Sequence, residues 1–260
     1  MFYPEVTRDH LSSFERDGFL VVDGVIPPAD LAMLTGISTD ILQRKEKIAR
    51  DWDWRRGEAR EGRRFRIVQC GVTPHHPWMR ETRLREWTVR FASSLMRQPL
   101  DFWYDQFLGK PPSHGAPTPW HQDEAYWGRE LWDCGITCWV PFHDVDVDCG
   151  TMHFVRGGHK HGLLEHSNPP EMASDLLVCD VATDADIVAC RLKAGSVTFH
   201  HSKTPHMTTG NTSDRWRLAM AQHMKGVSVK DERGHYRWRV DVSQVNNERV
   251  HAVSGQVDLL

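Results

Sequence analysis

The chain has 260 residues, enough for one large domain or two small ones. Its 32 basic and 35 acidic side chains leave a formal charge of −3, which offers no field for nucleic acid or an anionic membrane surface. No apolar run reaches the ~18–20 residues of a membrane span. Glu5, Arg8 and Asp9 interrupt the first ten residues with no apolar stretch behind them, so no secretory leader is read and a cytoplasmic protein is expected.

Six cysteines (Cys70, Cys134, Cys138, Cys149, Cys179, Cys190) form no Cys-x-x-Cys pair, so zinc-ribbon spacing is absent and reduced thiols are expected. Histidine, with 16 copies, is the unusual entry in the composition, and it is the commonest metal-ligating side chain.

In chain order, residues 7–17 predict a helix capped by Thr7 and ended by Gly18, with Leu11 and Phe14 on one face. A short buried strand follows at Phe19–Val22. Pro27-Pro28 opens a longer helix carrying Leu31, Leu34, Ile37 and Ile41-Leu42 at helical spacing. Residues 50–62, with Gly57, Gly62 and many charges, read as a loop. Phe65–Cys70 alternates as a strand, and 77–97 reads as one helix with Leu84, Trp87, Phe91 and Leu95 on a stripe.

From Leu100 the texture changes to short apolar runs punctuated by Gly, Pro, Asn and Asp. Runs 100–108, 135–142, 151–155, 187–192, 196–200 and 216–223 read as strands. Helices in front and strands behind predict a mainly β protein, a jelly roll flanked by N-terminal helices. The expected division of this single domain is a helical part at about 1–98, a β core at about 99–225 and an extension at 226–260 with one strand near Tyr236–Val242.

The informative stretch is Thr118-Pro119-Trp120-His121-Gln122-Asp123. His121 and Asp123 stand two apart and, at the end of an extended strand, point to one side. Imidazole and carboxylate aimed at one point are two thirds of an iron site of the 2-His-1-carboxylate type. His206, which begins a new element after the turn at Ser202–Pro205, is the candidate third ligand. His200 or His201 is the alternative, although neighbouring strand residues point to opposite faces and at most one of the two points inward. Arg215 and Arg217 share a strand face, and a guanidinium pointing into a barrel requires an anionic partner. Tyr126 and Trp127, directly after the pair, are candidate substrate-pocket residues.

The segments Thr118–Asp123, Trp139–Phe142, Gly150–Val155, Gly158–Lys160 and His206–Arg217 occur in that order. With Phe14–Val22 they resemble the phytanoyl-CoA dioxygenase family of Fe(II)/2-oxoglutarate oxygenases, over about residues 10–225. The resemblance implies a double-stranded β-helix and iron held by His121, Asp123 and His206. It also implies 2-oxoglutarate gripped by Arg217 with Thr208 beside it and lined by Trp139 and Gln106, with Arg66 a further candidate. With O₂, such an enzyme oxidises a small-molecule substrate and releases succinate and CO₂, as a monomer or homodimer. Relatives that halogenate carry Gly or Ala where Asp123 stands, so the carboxylate favours hydroxylation. Val155-Arg156-Gly157-Gly158-His159 departs from the family's Pro-Gly-Ser-His hairpin.

Two other patterns compete. His159-Lys160-His161 with Glu165 resembles a cupin metal motif, but His153 and Met172 replace the glycines it needs. It would imply a metal-binding jelly roll without oxygenase activity. Asp144, Asp146 and Asp148 mimic the start of an EF-hand, with Cys149 and Val155 where Gly and Glu belong.

Overall fold

A computed structural model describes residues 3–43, 50–53, 65–113, 115–127, 135–169, 176–226, 228–230 and 236–238. Helix α1 (Arg8–Asp17) starts where Thr7 accepts a bond from the His10 amide and stops at Gly18, whose φ of 80° lets the backbone turn back onto Phe14. Strand β1 (Phe19–Val22) follows directly, and α2 (Pro28–Gln43) buries Leu34 and Ile37.

Residues 50–53, expected in a loop, form strand β2 (Arg50–Asp53) by pairing with β3 (Phe65–Cys70). The rest of that expected loop lies outside the described residues. A short helix, α3 (Val72–His75), was not anticipated. The single helix expected over 77–97 is broken. Pro77–Glu81 is a 3₁₀ turn, Thr82 is extended (φ −76°, ψ 146°), and its hydroxyl caps α4 (Arg83–Leu95) by accepting from Arg85 N at 3.2 Å. The local Thr cap wins over continuous helical spacing.

The remaining elements are β4 (Leu100–Lys110), β5 (Thr118–His121), α5 (Glu124–Trp127), β6 (Gly135–Pro141), β7 (Met152–Val155), β8 (His166–Ser167), β9 (Val178–Cys179), β10 (Ile187–Ala189), β11 (Val197–His201), β12 (His206–Thr208), β13 (Arg217–Gly226), β14 (Ser228–Lys230) and β15 (Tyr236–Trp238). They build a seven-stranded sheet of order β1-β11-β6-β13-β4-β3-β2 and a four-stranded sheet of order β10-β7-β12-β5, with antiparallel neighbours throughout. This is the jelly roll expected. The N-terminal part also supplies three strands to the larger sheet, the expected β1 and β3 and the unexpected β2, because β1 finds an open edge on β11 and β3 on β4.

Strand alternation sorts the core into two layers. Leu20, Val22, Cys138, Val140, Phe199 and Met220 face the helices, where Trp87 and Phe91 of α4 pack on Phe199. Their strand neighbours Phe19, Trp139, Ala219 and Ala221 face the second sheet and meet Met152 and Phe154. Cys138, Cys149, Cys179 and Cys190 are buried free thiols. Among the described residues no helix is long and apolar enough to cross a membrane.

Candidate metal centre

The smaller sheet sets the two histidines side by side. In its register His206 of β12 pairs with His121 of β5, and Thr208 pairs with Thr118. Their rings lie 4.1 Å apart, centroid to centroid. Asp123 does not continue the strand as expected; β5 ends at His121 and Asp123 sits in the turn before α5. That turn, rather than strand alternation, brings the carboxylate over. Asp123 Oδ1 comes to 3.9 Å from His121 Nε2 and 3.7 Å from His206 Nε2. Donor atoms of His121, Asp123 and His206 all fall within 4.8 Å of one another, the one such group among the described residues.

Each imidazole is turned by its own backbone. His121 Nδ1 donates to the Pro119 carbonyl (2.8 Å) and His206 Nδ1 to the Thr204 carbonyl (2.9 Å). The proton is thereby placed on Nδ1 and the Nε2 lone pair faces the centre. Burial, with His121 and His200 alongside, holds His206 well below the ordinary histidine range despite Asp123 and the Thr204 carbonyl, so it is neutral near pH 7. Burial opposes ionisation of Asp123, but His206 and the hydrogen bond and charge of His200, with His223 beyond, outweigh it and hold the carboxyl well below its usual range.

The two segments that carry the candidate ligands are also stitched together. Gln122, fully buried, donates to the carbonyls of Lys203 (2.5 Å) and Gly162 (2.8 Å) and accepts from Leu164 N (2.8 Å). Glu124 N donates to the Ser202 carbonyl (3.1 Å), and the Ser202 hydroxyl donates back to Glu124 Oε2 (2.8 Å). The stretch carrying His121 and Asp123 therefore moves with the stretch carrying His206.

A cavity of about 120 Å³ opens beside these ligands. Gln106, Tyr126, Trp127, Trp139, Thr208 and Arg217, all singled out from the sequence, line it. Arg217 is buried, donates to the Leu108 carbonyl at 3.2 Å and lies 5.7 Å from the Trp139 ring. Thr208 Oγ1 and Trp139 Nε1 are buried with no hydrogen-bond partner and belong to the same wall. Trp127 is seated against the start of β6, where a Cβ on Gly135 would stand 2.1 Å from its ring. The side chain of Arg66 lies outside the described residues.

Arg215 does not share the face of Arg217 as expected. The strand begins at Arg217; Arg215 is exposed and donates to the Asp144 carbonyl at 3.1 Å. His200 points inward beside His206, with Nε2 3.2 Å from Asp123 Oδ2, whereas His201 turns out toward His159. Among the described residues His159 and His161 join no group of potential ligands. Asp146 caps a short 3₁₀ turn and Asp144 pairs with Lys193, which accounts for the EF-hand-like spacing.

Among the polar residues of the cavity wall, Thr137, His223 and Tyr104 went unrecognised in the sequence. Strand parity was the available signal, because Thr137 lies two before Trp139, and His223 alternates with Arg217, Ala219 and Ala221.

The chain matches the family model of phytanoyl-CoA dioxygenase (PhyH) over residues 14–219, well over half its length. The chain belongs to the phytanoyl-CoA dioxygenase family. That is a family of Fe(II)- and 2-oxoglutarate-dependent oxygenases, so this chain is an enzyme of that class. It is 20% identical to peroxisomal phytanoyl-CoA dioxygenase of Homo sapiens, covering 94% of this chain and 73% of that protein. Among solved structures, the non-heme alpha-ketoglutarate-dependent carbocyclase SnoK from nogalamycin biosynthesis has a TM-score of 0.71 at 22% identity, covering 97% of this chain and 91% of that one. The epimerase SnoN, solved with Fe³⁺, alpha-ketoglutarate and nogalamycin RO, has a TM-score of 0.69 at 20% identity, covering 96% and 91%. At such identities these two structures establish the fold alone.

Proposed function

We propose that this family member binds one Fe(II) through His121, Asp123 and His206 and uses 2-oxoglutarate and O₂ to hydroxylate, or otherwise oxidise, a small organic molecule, releasing succinate and CO₂. The observation that carries the reading is the convergence of two imidazoles and one carboxylate at the rim of a cavity whose wall holds Arg217. Two nitrogens and one oxygen from protein are the donor set of a facial iron site with further positions open. The orphaned Thr208 hydroxyl and Trp139 indole N–H beside the Arg217 guanidinium suit an anionic, carboxylate-bearing cosubstrate.

Bound iron and 2-oxoglutarate would supply the oxidative chemistry. The chain's own part is placement and exclusion. In their neutral form His121 and His206 would turn Nε2 lone pairs to the ion, because the Pro119 and Thr204 carbonyls favour the Nδ1–H tautomer. Asp123 contributes one negative charge. Arg217, Thr208, Trp139 and Gln106 would orient the cosubstrate, and Tyr126 and Trp127 would form the substrate wall. The surrounding apolar layer of Met152, Leu108 and Leu176 keeps bulk water from the reacting atoms.

The test is an anaerobic titration with Fe(II), then 2-oxoglutarate, watching for a visible charge-transfer band, followed by a substrate screen for succinate release. Saturable one-to-one binding, lost in His121→Ala and His206→Ala, is expected. Iron binding that survives both substitutions would refute the reading.

A further inference from the structure

We propose that Thr137 and His223, with Gln106 behind them, form a hydrogen-bonded chain that holds the outer oxygen of Asp123 and keeps this carboxylate a one-oxygen ligand. The inference rests on the iron site proposed above and concerns positioning residues.

The register of the larger sheet creates the chain. His200, Thr137, His223 and Tyr104 form one row across β11, β6, β13 and β4. In the next row Trp139, Ala221 and Gln106 follow one another. Thr137 Oγ1 lies 2.5 Å from Asp123 Oδ2 and 2.9 Å from His223 Nδ1, while His223 Nε2 lies 3.2 Å from Gln106 Oε1. Thr137 and His223 are buried.

Proton counting gives the chain a direction. The Thr137 hydroxyl has one proton, and ionised Asp123 only accepts. Thr137 therefore donates to Oδ2, and its lone pair accepts from His223 Nδ1–H. A neutral His223 is then left with an acceptor at Nε2, so the proposed chain requires the Gln106 amide to be turned with its NH₂, in place of Oε1, toward the ring. Donation runs from Gln106 through His223 and Thr137 to the carboxylate, each bond polarising the next and the last ending on a charge.

The consequence falls on the metal. His200 also reaches Oδ2, at 3.2 Å. With Oδ2 engaged by two donors, Oδ1 alone faces His121 and His206. A carboxylate released from that grip is able to swing both oxygens onto the ion and occupy a position the cosubstrate or O₂ requires. The middle link is also built into the pocket wall: the His223 ring stacks on Tyr104 at 4.2 Å and meets the edge of Trp127 at 5.6 Å. Packing at the substrate wall thus bears on the ligand.

The test compares full-length wild type, Thr137→Val, Thr137→Ser, His223→Phe and the Val/Phe double variant, with folding checked by circular dichroism. Fe(II) affinity is read anaerobically against a competing chelator, and the charge-transfer band is read with 2-oxoglutarate added. Thr137→Val, of matching shape but without the hydroxyl, is expected to weaken Fe(II) binding about 10- to 100-fold and shift the band. Thr137→Ser, which keeps the hydroxyl, should stay within about threefold with the band unmoved. His223→Phe should weaken binding by a smaller factor and shift the band, and the double variant should be no worse than Thr137→Val, as links in series require. Wild-type affinity and an unmoved band in His223→Phe, or losses that multiply in the double variant, would overturn the chain even if Thr137→Val does not fold. Fe(II) binding that survives Asp123→Ala would instead overturn the iron site itself.

Discussion

Replacing Arg217 by Ala tests the cosubstrate side of the cavity most directly. The guanidinium is 2% exposed, is aimed by its bond to the Leu108 carbonyl, and stands 5.7 Å from the Trp139 ring. A carboxylate bound there is desolvated, and removing its charged partner costs about 2–5 kcal/mol. At about 1.4 kcal/mol per decade, 2-oxoglutarate affinity should fall roughly 30- to 4,000-fold. Arg217→Lys should lie between, keeping the charge but losing the planar fork. The assay is an anaerobic 2-oxoglutarate titration followed by tryptophan fluorescence, which Trp139 makes sensitive to events beside residue 217. Arg215→Ala is the control: its side chain is exposed and binds the Asp144 carbonyl, so affinity should change by less than about twofold. A dissociation constant in Arg217→Ala within about threefold of wild type would refute the assignment.

Asp123→Ala should abolish Fe(II) binding and succinate formation while leaving the circular dichroism unchanged; because Thr137 and His200 lose their acceptor, urea denaturation should register a loss of about 1–3 kcal/mol. The His159→Ala/His161→Ala double variant should bind iron like wild type, and loss of metal there would favour the cupin-like alternative. Arg156 joins Asp17 at the end of α1 to Asp186 before β10, at 2.8 and 2.9 Å. Burial opposes ionisation of Asp17, yet bonds from Arg16 and Arg156 leave its carboxyl below the usual value. That contribution is present above the unfolded carboxylate pKa and is lost as pH falls through the lower folded value. Arg156→Met should therefore cost up to about 1 kcal/mol at neutral pH and flatten the acid limb of a thermal-melt series; an identical acid limb would count against it. Trp87→Ala, which empties a site 1% exposed between α4 and the larger sheet, should cost about 3–5 kcal/mol by chemical denaturation, and a loss under 1 kcal/mol would mean that α4 does not anchor the core.

Much of this protein is local in origin and therefore legible in its sequence. Thr7 and Gly18 bracket α1 because a hydroxyl cap and a left-handed glycine act within a few residues. Alternation along Phe19–Val22 and along 217–223 separates the two core layers for the same reason. The candidate metal ligands His121 and Asp123, His206 beyond them and Arg217 beyond that stand out as residue types in a given order. What a chain cannot state locally is register. The pairing of His206 with His121, the row joining His200, Thr137, His223 and Tyr104, and the turn that swings Asp123 off the strand all depend on hydrogen bonds between segments remote in sequence. Arg215 and Arg217 were equivalent until the start of β13 placed one outside and one inside. A one-residue shift in any of these strands would exchange its inward and outward faces, so the ladder, and not the composition of the strands, decides which side chains face the candidate metal centre.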